Sequence, residues 1–120
     1  MSHNKLKPET TAFFALRSRD LFWTMTLAIF LNLAAITLLS MGYESMKMPL
    51  LTMVALFGLL AIFFSVDAAD DFAAAIDSLD EDEKASPIGQ RLLKTPMAVF
   101  KITFVVFFAG MAGTILYQAL

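Results

Sequence analysis

The chain has no cysteine, and its 120 residues include one histidine, His3. Disulfides, thiolate catalysis, Fe–S clusters and cysteine-ligated metals are excluded. One imidazole close to the N-terminus leaves none to ligate a haem or a metal inside a membrane. Charge is scarce as well: 17% of residues are charged against 58% hydrophobic, and no ionisable acid, arginine or histidine falls in the middle of a long apolar run. Proton relays and charge-coupled carriers place such residues there, so this chain alone is not expected to pump or to couple to protons. No Ser-His-acid set, glycine-rich phosphate loop or pair of intramembrane carboxylates is present, and no catalysis, cofactor or metal is expected. The acidic stretch Asp77 to Glu83 lacks the glycine and ligand spacing of a calcium loop. A net charge of −2 with modest basic clusters speaks against nucleic acid as a partner.

What the chain has in abundance is uninterrupted apolar sequence. Its mean hydropathy of +0.70 is too high for a soluble domain of this length. Three runs stand out, Leu21 to Tyr43, Pro49 to Val66 and Pro96 to Leu120, each close to the roughly 20 residues needed to cross a hydrocarbon core about 30 Å thick. Barrel strands would alternate polar and apolar residues, so the runs read as helices whose backbone groups satisfy one another. The expected fold is an all-α integral membrane protein with three transmembrane helices. Its segments are 1–20 (N-terminal, cytoplasmic or interfacial), 21–43 (helix one), 44–48 (a short external loop), 49–79 (helix two with an extension), 80–95 (an acidic turn) and 96–120 (helix three). Helix one is too long for a signal h-region and Ser40-Met41-Gly42-Tyr43 offers no small-x-small cleavage site, so its retention is expected.

The basic residues give an orientation. Lys5, Lys7, Arg17 and Arg19 precede helix one, Lys84, Arg91 and Lys94 lie between helices two and three, and Lys101 opens helix three on that same side. Only Lys47 lies on the other. The positive-inside rule predicts an N-in, C-out chain, and a short multi-pass chain of this kind suits a bacterial inner membrane. Trp23, Tyr43 and Tyr117 fall where interfacial aromatic belts form. For residues 1–20 two readings stand: an interfacial helix opened by Pro8, with Arg17 and Arg19 toward lipid headgroups, or a disordered tail ending in flanking charges.

Helix two does not stop with its apolar run. Residues 67–79 are rich in alanine and free of glycine and proline, so the helix is expected to continue into the cytoplasm as an amphipathic rod about 45 Å long from Pro49 to Leu79. One face of the extension carries Asp67, Asp70, Asp71 and Asp77, read as a solvated acidic face. The other carries Phe72, Ile76 and Leu79. That apolar stripe needs a cover, either the Ile88, Leu92, Leu93 segment or another protein. Thr95-Pro96 reads as an N-cap and first helical residue for helix three, and Lys101 as a side chain snorkelling to headgroups.

Two features suggest helix packing. Helix three contains Ala109, Gly110, Gly113 and Thr114 at small-xxx-small spacing, which admits a close neighbour from this chain or another. Asn32 lies near the middle of helix one on a face with Thr24, Ala28 and Ala35, where a carboxamide facing lipid would leave its polar atoms unmet. It reads as interhelical glue rather than as a transport-pathway ligand. The expected function is a non-catalytic accessory, assembly or scaffold subunit of a larger membrane complex, with other membrane subunits and the lipid bilayer as partners and homo-oligomerisation open. The alternative is a homo-oligomeric channel or holin-like pore lined by helix two, its mouth ringed by Asp67, Asp70 and Asp71.

Overall fold

The computed structural model describes residues 6–120, and all regular structure among them is helical. Ser2, His3, Asn4 and Lys5, named above, lie outside the described residues. The elements are α1 (Pro8–Ser40), a 3-10 turn at Glu44–Met46, α2 (Lys47–Asp77), α3 (Glu81–Ala85), α4 (Pro87–Leu93) and α5 (Met97–Ala119). The helices stack into a narrow body of 63 × 22 × 16 Å. Three stretches, Pro8–Ser40, Glu44–Asp77 and Met97–Ala119, are long and apolar enough to cross a membrane, with mean hydropathies of 1.9, 2.3 and 2.0. The outer surface agrees: Phe30, Leu60, Phe63, Ile102 and Val106 all stand exposed. Hydroxyls on that surface bond within their own helix, as Thr26 Oγ1 does to the Phe22 carbonyl at 2.8 Å and Thr103 Oγ1 to that of Val99 at 2.8 Å. They can therefore face hydrocarbon without an unmet donor.

Pro8 occupies the first position of α1, where its missing N–H has no intrahelical use. From there α1 runs 33 residues without a break. It ends where Gly42 turns to a φ of +80° and its N–H returns to the Leu39 carbonyl at 3.2 Å, a backbone sign that glycine adopts at no steric cost. At 1.5 Å per residue α1 and α2 reach about 50 and 47 Å, well beyond a single span, whereas α5 reaches about 35 Å. α2 stops two residues earlier than the rod read from the sequence, because Ser78 caps it and Leu79 leaves the helical path before Asp80, which is extended. α5 likewise starts at Met97 with Pro96 as its cap residue. Thr95 does not cap it, since its hydroxyl turns back to the Arg91 carbonyl at 3.0 Å.

α2 is the central helix and packs along both α1 and α5, which themselves meet only sparingly. Its buried positions include Leu51, Val54, Gly58, Ala61, Ser65 and Ala68, a seam with alternating steps of three and four residues. Most are small, and backbones approach closely in consequence. A Cβ added at Gly58 would lie 3.0 Å from that of Ala112 on α5. Around this contact sit two apolar clusters, one with Ala35, Leu51, Val54, Ala112 and Ile115, the other with Ala28, Ala61 and Phe108.

Candidate functional site

One end of the bundle gathers the charges. Arg17 lies on the α2-facing side of α1 and bridges to Asp20 at 3.1 Å, Asp71 at 3.1 Å and Asp67 at 3.7 Å. Its guanidinium also lies 5.5 Å from the Phe64 ring centroid, a cation–π contact. Lys101 reaches Asp70 at 2.8 Å rather than extending alone toward a membrane surface. Three of the four acids read as a solvated face, Asp67, Asp70 and Asp71, are thus paired with α1 or α5 while their side chains stay largely exposed, and Asp77 is exposed. Sequence reasoning missed this because the α2 partners of Arg17 lie some 50 positions away and no local spacing marks them.

Beyond these pairs the chain folds back through α3 and α4, both specified by capping. Asp80 Oδ1 accepts from the Glu83 N–H at 2.8 Å while Glu83 Oε1 accepts from the Asp80 N–H at 3.2 Å, a reciprocal capping box. Ser86 Oγ accepts from the Gly89 N–H at 2.9 Å and starts α4. Gly89 has to be glycine, since a side chain there would run into the Glu83 carbonyl. The second oxygen of Glu83 leaves its own helix: Oε2 accepts the Lys7 N–H at 2.9 Å, across 76 residues, at the start of α1. Lys7 Nζ completes the clasp on Asp80 at 2.8 Å. The Lys7 N–H holds the Glu83 carboxyl below the usual glutamate range, against its burial. The Lys7 ammonium holds Asp80 low, and Asp80 in turn raises Lys7.

Because α1 and α5 barely meet, an apolar trough runs between them. At the charged end it is ≈ 700 Å³, with Phe14, Phe22, Phe72, Ile76, Leu92 and Phe100 among its walls. Further along, a second recess of ≈ 430 Å³ lies between Ile29, Asn32 and Ile36 on α1 and Gly110, Met111 and Thr114 on α5. At the far end a further ≈ 460 Å³ opens beside Tyr43, Lys47 and Gln118. Ile36, Thr114 and Ile115 belong to both of the last two segments, so these two are continuous.

The residues singled out from the sequence fall on different sides of this arrangement. Phe72 stacks on Phe14 with ring centroids 5.5 Å apart, and Ile76 and Leu79 are buried. Part of the cover for that stripe is thus α1, which the sequence reading did not consider, along with Ile88 and Leu92 of α4, which share the trough wall. Leu93 stays exposed. Asn32 is buried at 9% exposure; its Nδ2 donates to the Ala28 carbonyl at 2.6 Å, and its Oδ1 has no partner. Ala109, Gly110 and Gly113 are exposed, and a Cβ on either glycine would meet nothing within 4 Å. The close packing inside the chain falls to Gly58, Ala61 and Ser65 of α2, whose three-and-four spacing was visible in the sequence and was missed. No group of three or more potential metal-ligating side chains occurs among the described residues. Compared with known proteins, the chain matches no family model, no curated protein and no solved structure.

Proposed function

We propose that this protein is a non-catalytic assembly or scaffold subunit of a membrane complex, and that its α1/α5 trough is the seat of a transmembrane helix. The trough itself carries the reading. Its walls are apolar for most of their extent, with Thr11, Ser18 and Thr95 at the charged end, Asn32 and Thr114 in the middle, and Ser40, Glu44, Lys47 and Gln118 at the far end. Such a surface offers shape more than polar contact, which suits helix binding rather than chemistry. In this reading the charged end lies in the cytoplasm of a bacterium, with the α2 extension, α3 and α4, and the chain is N-in and C-out. Ala109 and Gly113 form a second outward face for other subunits. The pore reading loses its motive, since Asp67, Asp70 and Asp71 are engaged by Arg17 and Lys101, and the outward side of α2 is Met53, Leu56, Leu60 and Phe63.

Native mass spectrometry of the chain extracted gently from its own membrane tests this. A stable assembly containing a further transmembrane chain is expected, with no ion flux when the protein is reconstituted in vesicles. A bare monomer, or a conductance sensitive to Asp70→Asn, would overturn the proposal.

A further inference from the structure

Charge at the charged end of the bundle is sorted along the chain. Residues 67–83 hold eight acids and no base, and from Lys84 to Leu120 there are four bases and no acid. Of those four, Lys101 pairs with Asp70. Arg91, in the last turn of α4, and Lys94, just past it, are exposed, and their side chains form no ion pair or hydrogen bond among the described residues. Packing holds them outward. Ile88 and Leu92 line the recess on the bundle side of α4, and Gly89 lies against the Glu83 carbonyl. At 100° per residue Arg91 and Lys94 fall on a side that none of these contacts covers. Their depth follows from the apolar surface. Exposed side chains turn apolar at Leu93, which the two bases bracket, and remain so at Val99, Phe100, Ile102 and Val106. On α1 Arg19 repeats the pattern, exposed and unpaired between the exposed Leu16 and Phe22. On a spanning helix, the boundary between charged and apolar surface is where headgroups meet hydrocarbon.

We infer that α4 sits in the headgroup layer of the membrane and that Arg91 and Lys94 bind the headgroups of anionic phospholipids there. The inference needs only that α5 crosses the membrane and asks nothing of what fills the trough. Any phospholipid offers a phosphodiester, which the Arg91 guanidinium can grip through two N–H groups and Lys94 can attract as a point charge. A zwitterionic headgroup also brings an ammonium, and the segment from Lys84 onward has no carboxylate to receive it. A headgroup of single net negative charge, such as phosphatidylglycerol, keeps the attraction without that repulsion. Leu93, between the two bases, gains a cover that water does not give. Little ordering remains for binding to supply, because Ser86 caps α4 and Glu83, against which Gly89 rests, is itself bound to the Lys7 N–H.

Trp23 is the chain's single tryptophan, so Trp23→Phe with Leu93→Trp places one fluorophore at the site. The full chain in phosphatidylcholine vesicles is titrated with phosphatidylglycerol or phosphatidylcholine, each brominated near the headgroup end of its acyl chains. The quenching is expected to show a roughly 5- to 30-fold preference for phosphatidylglycerol, since each base near a membrane surface contributes about fivefold. High salt should reduce that preference, and Arg91→Gln with Lys94→Gln should bring it close to parity. Lys84→Gln, which removes the same charge beside Glu81 and Asp82, should leave it in place. Equal quenching by the two lipids would overturn the selection of anionic headgroups. Quenching by aqueous acrylamide and by neither lipid would place α4 in water and overturn the whole inference. A preference that Lys84→Gln lowers as far as the double variant does would reflect net charge alone and overturn Arg91 and Lys94 as the site.

Discussion

A helix N-terminus leaves four backbone N–H groups without intrahelical partners, and here one carboxylate serves two such ends. Glu83 caps its own short helix through Asp80 and the distant α1 through Lys7, and an anion at these ends also meets the positive pole of each helix. The folded carboxyls of Glu83 and Asp80 titrate below their unfolded values. Their contribution is therefore fully present above the ordinary carboxylate range and is lost as pH falls through the lowered folded values. Lys7, raised by Asp80, loses its contribution only as pH rises through its elevated value. The clasp should hold at neutral pH and open in acid. An NMR titration of the Lys7 amide is expected to show a midpoint below that of an ordinary glutamate, and Glu83→Gln should abolish the transition and speed hydrogen exchange over the first turn of α1. A midpoint at the ordinary value would remove Glu83 as the cap.

At the scale of elements, the two glycine-bearing helices differ in where their small faces point. The row on α5 was read as admitting a neighbour from this chain or another; within this chain Gly113 borders open space while Gly58 lies against Ala112. Gly58→Leu should force α2 and α5 apart and destabilise the single chain by about 1–3 kcal/mol, whereas Gly113→Leu should leave its unfolding in detergent unaltered. Equal effects of the two would contradict this division. The difference also shows where sequence reasoning ends. Spacing reveals that a helix owns a small face, as at Ala109 and Gly113, but not which neighbour turns toward it. Periodicity marks Phe72, Ile76 and Leu79 as one apolar side opposite an acidic one, and in the fold Ile76 and Leu79 are buried and Phe72 stacks on Phe14. The capping box at Asp80 and Glu83 was legible as Asp-x-x-Glu, but the acidic run around it drew attention to charge instead.

At the scale of the whole molecule, the three long apolar helices were legible because hydrocarbon admits so few backbone solutions. The trough was not, since it arises from the divergence of two helices that α2 holds on separate sides. The proposed orientation places Ser2 and Gln118 on opposite sides of the membrane, which cysteine labelling can test. An impermeant maleimide applied to intact cells should modify a cysteine at Gln118 and not one at Ser2, and the reverse pattern would invert the topology.

Between Lys7 and Glu83 the chain contains two long apolar helices and no others. In the proposed topology these two helices cross the membrane and return the chain to the side it left, whereas one or three crossings would leave the carboxylate and the amide separated by the bilayer. Contact between these groups is thus a parity check on insertion. It is unavailable during synthesis until residue 83 has emerged, after both apolar helices, and it is denied to any chain whose first hairpin enters the membrane incompletely. Such a chain keeps an uncapped α1 and an unclasped return segment, an exposed start that a protease could use to tell it from the finished protein.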